Sequence, residues 1–375
     1  VAEKTLHIGI LGAGGFAHFA ATAFSGIDGV RIVAVLDTDA IAAKALAEIY
    51  NATVYTNEEH FLKDGAMELV YIATPPYLHY TQSESALQSG KHVICEKPAA
   101  LHATEAEALA ALATSKQLLY AVNLMQRYNP LYEVVKRIVD EKPFGSFLHG
   151  YFENYASDEH LDAHHWFWDP SKSGGIFIEH GVHFFDLFEG WFGAGKILHA
   201  IQLSRSVGNK QHVDRVQATV QYQQGTVNFY HGFNQPDILD RQEMRLQFEK
   251  GDITLYGWVP VEMRIYGLLK PDELERITAR LMECSVTTHP VQYSIDSKLI
   301  QPDPNRLHDQ LITIHHGDLL NKQIRYRELL IRMLTDQWKW IQDKNHVRVI
   351  DASNAIHSLQ TAEQAFNMSQ SNYNG

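Results

Sequence analysis

Short apolar runs alternate with amphipathic, alanine-rich stretches through the first third of the chain. Residues 6–11, 30–36, 68–73, 92–95 and 119–124 are too short and too continuously apolar for helices, and read as strands buried on both faces. Helical spacing fills the intervals, as over residues 40–50, 80–89 and 105–118. After residue 145 the pattern changes. Residues 146–155, 197–206, 213–222, 226–232, 243–248, 253–256 and 262–266 alternate with period two and predict antiparallel strands, with turns at 223–225 and 250–252. Further helices are expected over 131–140, 184–192, 270–282, 320–344 and 351–369, the last capped by Asp351 or Ser353. Residues 287–318 fit neither period.

The first strand runs into Gly12-Ala13-Gly14-Gly15-Phe16-Ala17, which opens a helix. Strand, tight turn and helix are the context that a G-x-G-x-x-G/A dinucleotide fingerprint needs. Gly12 permits the turn, Gly14 and Gly15 let the backbone approach a pyrophosphate, and Ala17 lets the helix pack closely. The free amides of the helix then face the anion. The second strand ends at Asp37, positioned to accept hydrogen bonds from an adenosine ribose. With Asp39 beside it and no Arg or Lys following, it favours NAD over NADP. The fold class expected is an α/β Rossmann dinucleotide-binding domain (residues 1–125) plus an α+β domain with a large, mainly antiparallel open sheet (residues 126–375). The final helix is free to pack back on the first domain. An open sheet with one face uncovered suggests a homodimer or homotetramer through that face.

Composition narrows the partners. The 375 residues hold enough chain for two cores, and 45% hydrophobic with 20% charged residues is ordinary for a globular protein. A net charge of −12 without a long basic tract argues against nucleic acid and membrane surfaces. Two cysteines exclude a disulfide scaffold and fit a reducing compartment; with no leader pattern or spanning run, a cytoplasmic location is expected.

The remaining chemistry gathers at three places. The strand 92–95 ends in Glu96-Lys97-Pro98, so Lys97 stands at the carboxyl edge of the sheet, where ligands of such folds bind. The string Gly90-Lys91-His92-Val93-Ile94-Cys95-Glu96-Lys97-Pro98 resembles the signature of the glucose-fructose oxidoreductase / inositol dehydrogenase / rhizopine-catabolism (Gfo/Idh/MocA) family. Thr74-Pro75-Pro76-Tyr77-Leu78-His79, Arg127-Tyr128-Asn129-Pro130 and the run from Gly174-Gly175 to Asp186 resemble three further segments of that family. The resemblance implies a cis Lys97–Pro98 bond, and places Thr74, Pro75, Pro76, His79, Glu96 and Lys97 along the nicotinamide half of a cofactor site. It also implies that Lys97 lies beside the reacting carbon, that His183 is the acid/base and that Glu179 takes the place of the usual aspartate. If the helix already runs from residue 178, Glu179 and His183 share a face, and the carboxylate could orient the imidazole. Phe167 stands where many relatives carry an arginine. Arg127 reads either as a substrate or cofactor contact or as an interdomain ion pair.

Between these segments lie His160, His164, His165, His180 and His183 with Tyr155, Trp166 and Trp168. No H-E-x-x-H or paired cysteines accompany the histidines, so no metal is expected. Tyr155, Trp166 and His180, with Arg127, are instead candidate substrate contacts, since flat rings and hydrogen-bonding groups suit a sugar. The function expected is NAD-dependent hydride transfer at a secondary alcohol or ketone carbon of a sugar, cyclitol or sugar derivative. Three alternatives stay open: an NAD-dependent glycosidase of the same family, a non-enzymatic NAD/sugar sensor, and a reductase of a non-sugar ketone or tetrapyrrole resembling biliverdin reductase.

Overall fold

The computed structural model describes residues 5–158, 160–207, 210–281, 283–290, 309–317 and 321–373. Six strands build the first sheet: β1 Leu6–Leu11, β2 Val30–Leu36, β3 Thr53–Tyr55, β4 Leu69–Ile72, β5 His92–Cys95 and β6 Tyr120–Val122. They run parallel in the order β3-β2-β1-β4-β5-β6. All four side chains of β4 are buried, because helices cover both faces of a parallel sheet. Those crossovers are α1 Gly15–Ser25, α2 Ala40–Tyr50, α3 Glu58–Leu62, α4 His79–Gln88 and α5 Ala103–Ser115. The strand order reverses between β1 and β4, and the crevice above their carboxyl ends is where such a sheet receives a ligand. Helix α6, Pro130–Glu141, leads out of this half.

Nine strands form the second sheet. They are β7 Phe147–Ala156, β8 Lys196–Val207, β9 Lys210–Gln221, β10 Thr226–Phe233, β11 Arg241–Phe248, β12 Gly251–Tyr256, β13 Glu262–Leu269, β14 Cys284–His289 and β15 Gln310–Gly317. The order is β14-β15-β13-β12-β11-β7-β10-β9-β8, antiparallel except for the pair β7 and β10. Strand β15 and the second half of β14 arise from the stretch that fitted no period. β14 is exposed along most of its length and carries Ser and Thr, while β15 alternates its buried Ile312 and Ile314 with Thr and His. The middle of that stretch, 291–308, lies outside the described residues.

The short α7, Pro170–Ser173, precedes α8, Val182–Phe192, which buries its aromatic face on the sheet: Phe184 stacks on Phe152 at 3.6 Å, and Phe185 and Phe188 meet Phe229 edge-on. The opposite face is polar, with Asp252 between Arg245 and Arg264. Helix α9, Pro271–Thr278, is shorter than expected, and Met282 falls outside the described residues. The last two helices return to the first sheet. Tyr326 of α10, Lys322–Gln342, packs on Phe16 and Phe19 of α1, with centroids 5.9 and 5.1 Å away. In α11, Ala352–Tyr373, Glu363 accepts from the Ala103 amide at 3.1 Å, and Gln360 bonds Glu107. Among the described residues no helix is long and apolar enough to cross a membrane.

Candidate active site

A cavity of about 1110 Å³ runs from the glycine turn after β1, past the ends of β4 and β5, to the inner face of β7 and β11. That is room for a dinucleotide and a small second molecule. Its first end is shaped by backbone. Gly12 takes a φ of +98°, and a Cβ there would meet the Ala73 carbonyl oxygen at 2.7 Å, so β1 and β4 can approach only with glycine at this turn. Gly14 and Gly15 face open space, which leaves the start of α1 accessible to an anion. The Asp37 carboxylate accepts from the Ala13 amide at 2.6 Å and the Asp39 amide at 2.8 Å, fixed in the cavity wall with Glu58 nearby. These residues fit a bound nicotinamide dinucleotide: a glycine cradle for the pyrophosphate and a carboxylate for the ribose.

Farther along, the strand ends are tied to one another. Glu96 is buried and receives hydrogen bonds from Tyr71 of β4 and, at 2.8 Å, from Asn123 after β6. Burial raises its carboxyl above the usual range, against those two donors. The His79 ring spans the Pro98 carbonyl at 2.6 Å and the Thr74 carbonyl at 2.7 Å, and so ties the proline loop to the segment after β5. The Lys97–Pro98 bond is cis. Lys97 reaches the cavity, where its ammonium donates to the carboxylate of Glu179 and, at 2.9 Å, to the Glu179 backbone carbonyl.

Glu179 lies in a single wide π-helical turn, Phe177–Gly181, that feeds α8. Gly174 and Gly175 start it at φ of +78° and +81°, close beneath Ile178 and Phe366. The expected carboxylate–imidazole pair does not form. An ammonium is a stronger partner for a carboxylate than a neutral ring, and Lys97 takes it.

His183 instead lies behind Trp258, edge to face at 5.0 Å, with neither ring nitrogen hydrogen-bonded among the described residues. His180 is the imidazole in the cavity wall. Its Nε2 receives the Trp258 indole N–H at 3.2 Å, and its Nδ1 lies 2.9 Å from Nδ1 of His231. Because an indole nitrogen only donates, His180 Nε2 must accept. The His180 proton therefore sits on Nδ1 and is donated to His231, whose own proton is left on Nε2. Burial holds all three imidazoles below their ordinary range, His231 at about 3, with the Lys97 charge adding to the effect at His180 and His183.

Gly12, Gly14, Gly15, Phe16, Asp37, Thr74, Pro75, Pro76, Glu96, Lys97, Trp166, Glu179 and His180 thus border one space. Five other expected site residues do not. Ala17 is fully buried under the sheet, and His79 works beneath the wall. His183 is covered by Trp258. Arg127 is an ion-pair residue rather than a cavity one: its guanidinium bonds both oxygens of buried Asp186, at 2.9 and 2.8 Å, and the Asp186 carbonyl. Tyr155 points away because strand side chains alternate. Its neighbours Asn154 and Ala156 line the cavity, while its own ring packs under Arg241 at 4.3 Å.

Several wall residues went unread in the sequence. Asn154 of β7 stands in register with His231 of β10 and Gln242 of β11, a polar row across three adjacent strands. Trp258 follows β12. Tyr326 and Lys322 of α10 also line the cavity. Burial and the neighbouring Glu96 and Glu179 push the Tyr326 hydroxyl well above its usual range. Among the described residues no three metal-ligating side chains cluster; His160 pairs with Asp237 and His164 with Lys210.

Comparison with known proteins gives a consistent assignment. Residues 6–124 match the family described as "Oxidoreductase family, NAD-binding Rossmann fold", and residues 132–254 match its GFO/IDH/MocA C-terminal domain. An uncharacterised oxidoreductase of Schizosaccharomyces pombe is 27% identical over 240 residues, 62% of this chain and 64% of that protein, so the match spans just under two thirds of its length. Inositol 2-dehydrogenase of Rhizobium meliloti is 25% identical over 70% of this chain and 78% of its own. The WlbA dehydrogenase from Bordetella pertussis, solved with NADH and UDP-GlcNAcA, superimposes with a TM-score of 0.76 at 16% identity, covering 99% of this chain and 97% of that one.

Proposed function

This chain belongs to the Gfo/Idh/MocA oxidoreductase family, and from that premise we propose that it is an NAD-dependent dehydrogenase acting on a secondary alcohol carbon of a sugar or cyclitol. One observation carries the reading: the Lys97 ammonium, held by Glu179, faces the same cavity as the glycine turn and Asp37. The resemblance to inositol 2-dehydrogenase supports a polyol as substrate. The wall around Asp37 supports NAD over NADP, because a 2'-phosphate there would meet the carboxylates of Asp37 and Glu58.

NAD, when bound, supplies the hydride acceptor. The chain's own residues handle the oxygen and its proton. Lys97 donates a hydrogen bond to the substrate hydroxyl oxygen and stabilises the negative charge that grows there. Glu179 fixes the ammonium through two acceptors, so little reorganisation is needed. In this proposal His183 takes the proton, the role the family resemblance implies; burial and the Lys97 charge leave the ring neutral but also lower its basicity, which opposes that transfer. His183 does not line the cavity and packs edge to face against Trp258, so in this proposal the side chains between it and the substrate oxygen must rearrange. In this reading copies of the chain pair through the polar open face of the second sheet.

The assay that tests the proposal offers NAD with a panel of cyclitols, aldoses and deoxysugars and follows NADH absorbance, with aryl glycosides in parallel. NADH formation from at least one polyol, with no glycoside cleavage, is the expected result. Release of aryl alcohol without net NADH would move the chain to the glycosidase branch.

A further inference from the structure

The charges around the cavity are unevenly distributed. Asp37, Glu58, Glu96, Asp158, Glu179 and Asp240 contribute to its wall, whereas its only lysines are Lys97 and Lys322, and no arginine lines it among the described residues. At the substrate end each charge has a different fate. Lys97 is engaged by Glu179, and Asp158 is held by Arg205 at 2.8 Å. Asp240 accepts from the Gln242 amide at 2.6 Å and has no cationic partner among the described residues. The cavity wall also carries the hydrogen-bonding groups of Asn154, Gln242 and His165 and the rings of Trp166 and Phe167.

We infer that this end of the cavity takes uncharged or amino-bearing polyols and rejects phosphate-, carboxylate- and nucleotide-bearing sugars, with Asp240 setting the preference. The inference rests on the dehydrogenase reading of the site. Asp240 is exposed at the edge of the cavity, with the Gln242 amide as its side-chain partner, and presents a carboxylate to what enters there. An anionic group seated beside it would meet like charge. A hydroxyl would instead find an acceptor, and an ammonium a counter-ion.

Matched pairs test this with the full-length protein and NAD: myo-inositol against inositol 1-phosphate, glucose against glucose 6-phosphate, and galactose against galacturonate, with glucosamine added. Both kcat/KM for NADH formation and quenching of tryptophan fluorescence in the NAD-loaded protein are read. The uncharged or amino member should be preferred at least about tenfold in each pair, and Asp240→Asn should narrow that gap while weakening glucosamine most. Preference for an anionic member, or a gap that Asp240→Asn leaves unchanged, overturns the inference. The fluorescence arm judges the charge preference even where no pair yields NADH, an outcome that counts against the dehydrogenase reading instead.

Discussion

Lys97→Ala should lower kcat by at least about 10³-fold while leaving the NAD dissociation constant within about twofold, because in the proposed mechanism the lost group acts on the reacting oxygen and not on the adenosine half. Among the described residues Lys97 is the one ammonium that combines a strand-end position, a buried carboxylate partner and access to the cavity. In the proposed mechanism truncation removes the donor that stabilises the developing alkoxide, and it leaves the Glu179 carboxylate without its counter-charge. Both effects act against the same negative oxygen, so the loss should fall on kcat more than on KM. Stopped-flow NADH formation and a separate NAD titration distinguish the terms. A variant that turns over polyol at the native rate would remove Lys97 from the chemistry.

Arg127→Met should destabilise the fold by about 3–5 kcal/mol, the cost of leaving a buried partner charge uncompensated. The partner is Asp186, 1% exposed, which α8 carries between Arg127 and Asn354 at the start of α11. Burial already lifts this carboxyl to about 6 despite the guanidinium. The folded state therefore holds a proton that the unfolded chain has lost over roughly pH 4 to 6. Asp186 favours folding on the acid side, and that contribution disappears as pH rises through its folded value. Without Arg127 the folded value rises further. Denaturant melts should show the full penalty near pH 8 and a smaller one near about pH 5. A variant of native stability with a raised substrate KM would make Arg127 a substrate ligand after all.

The sequence displays most of the frame and only part of the wall. Runs such as Leu69–Ile72 are legible because burial on both faces leaves no polar position to blur them. Gly12 is legible because its turn admits no side chain. Tyr155 was misplaced for a reason internal to β7. Tyr151, Phe152 and Tyr155 put large rings on both faces, so composition does not reveal which parity looks inward, and Asn154 passes unnoticed. Helical spacing relates Glu179 to His183 but says nothing of what lies opposite, and the deciding partner, Lys97, is 82 residues away. Arg127 looks the same in sequence whether it meets a ligand or Asp186. Tyr326 is hidden because α10 is apolar for packing on α1, and the tip of the same face reaches the cavity.

The most direct measurement follows the hydride itself. The protein is supplied with NAD and a polyol deuterated at its carbinol carbons, and the reduced nicotinamide is examined by mass spectrometry and NMR. One deuterium per NADH formed, carried on the nicotinamide ring, is what this account predicts; turnover that leaves the nicotinamide unlabelled, with the deuterium in solvent, would contradict it.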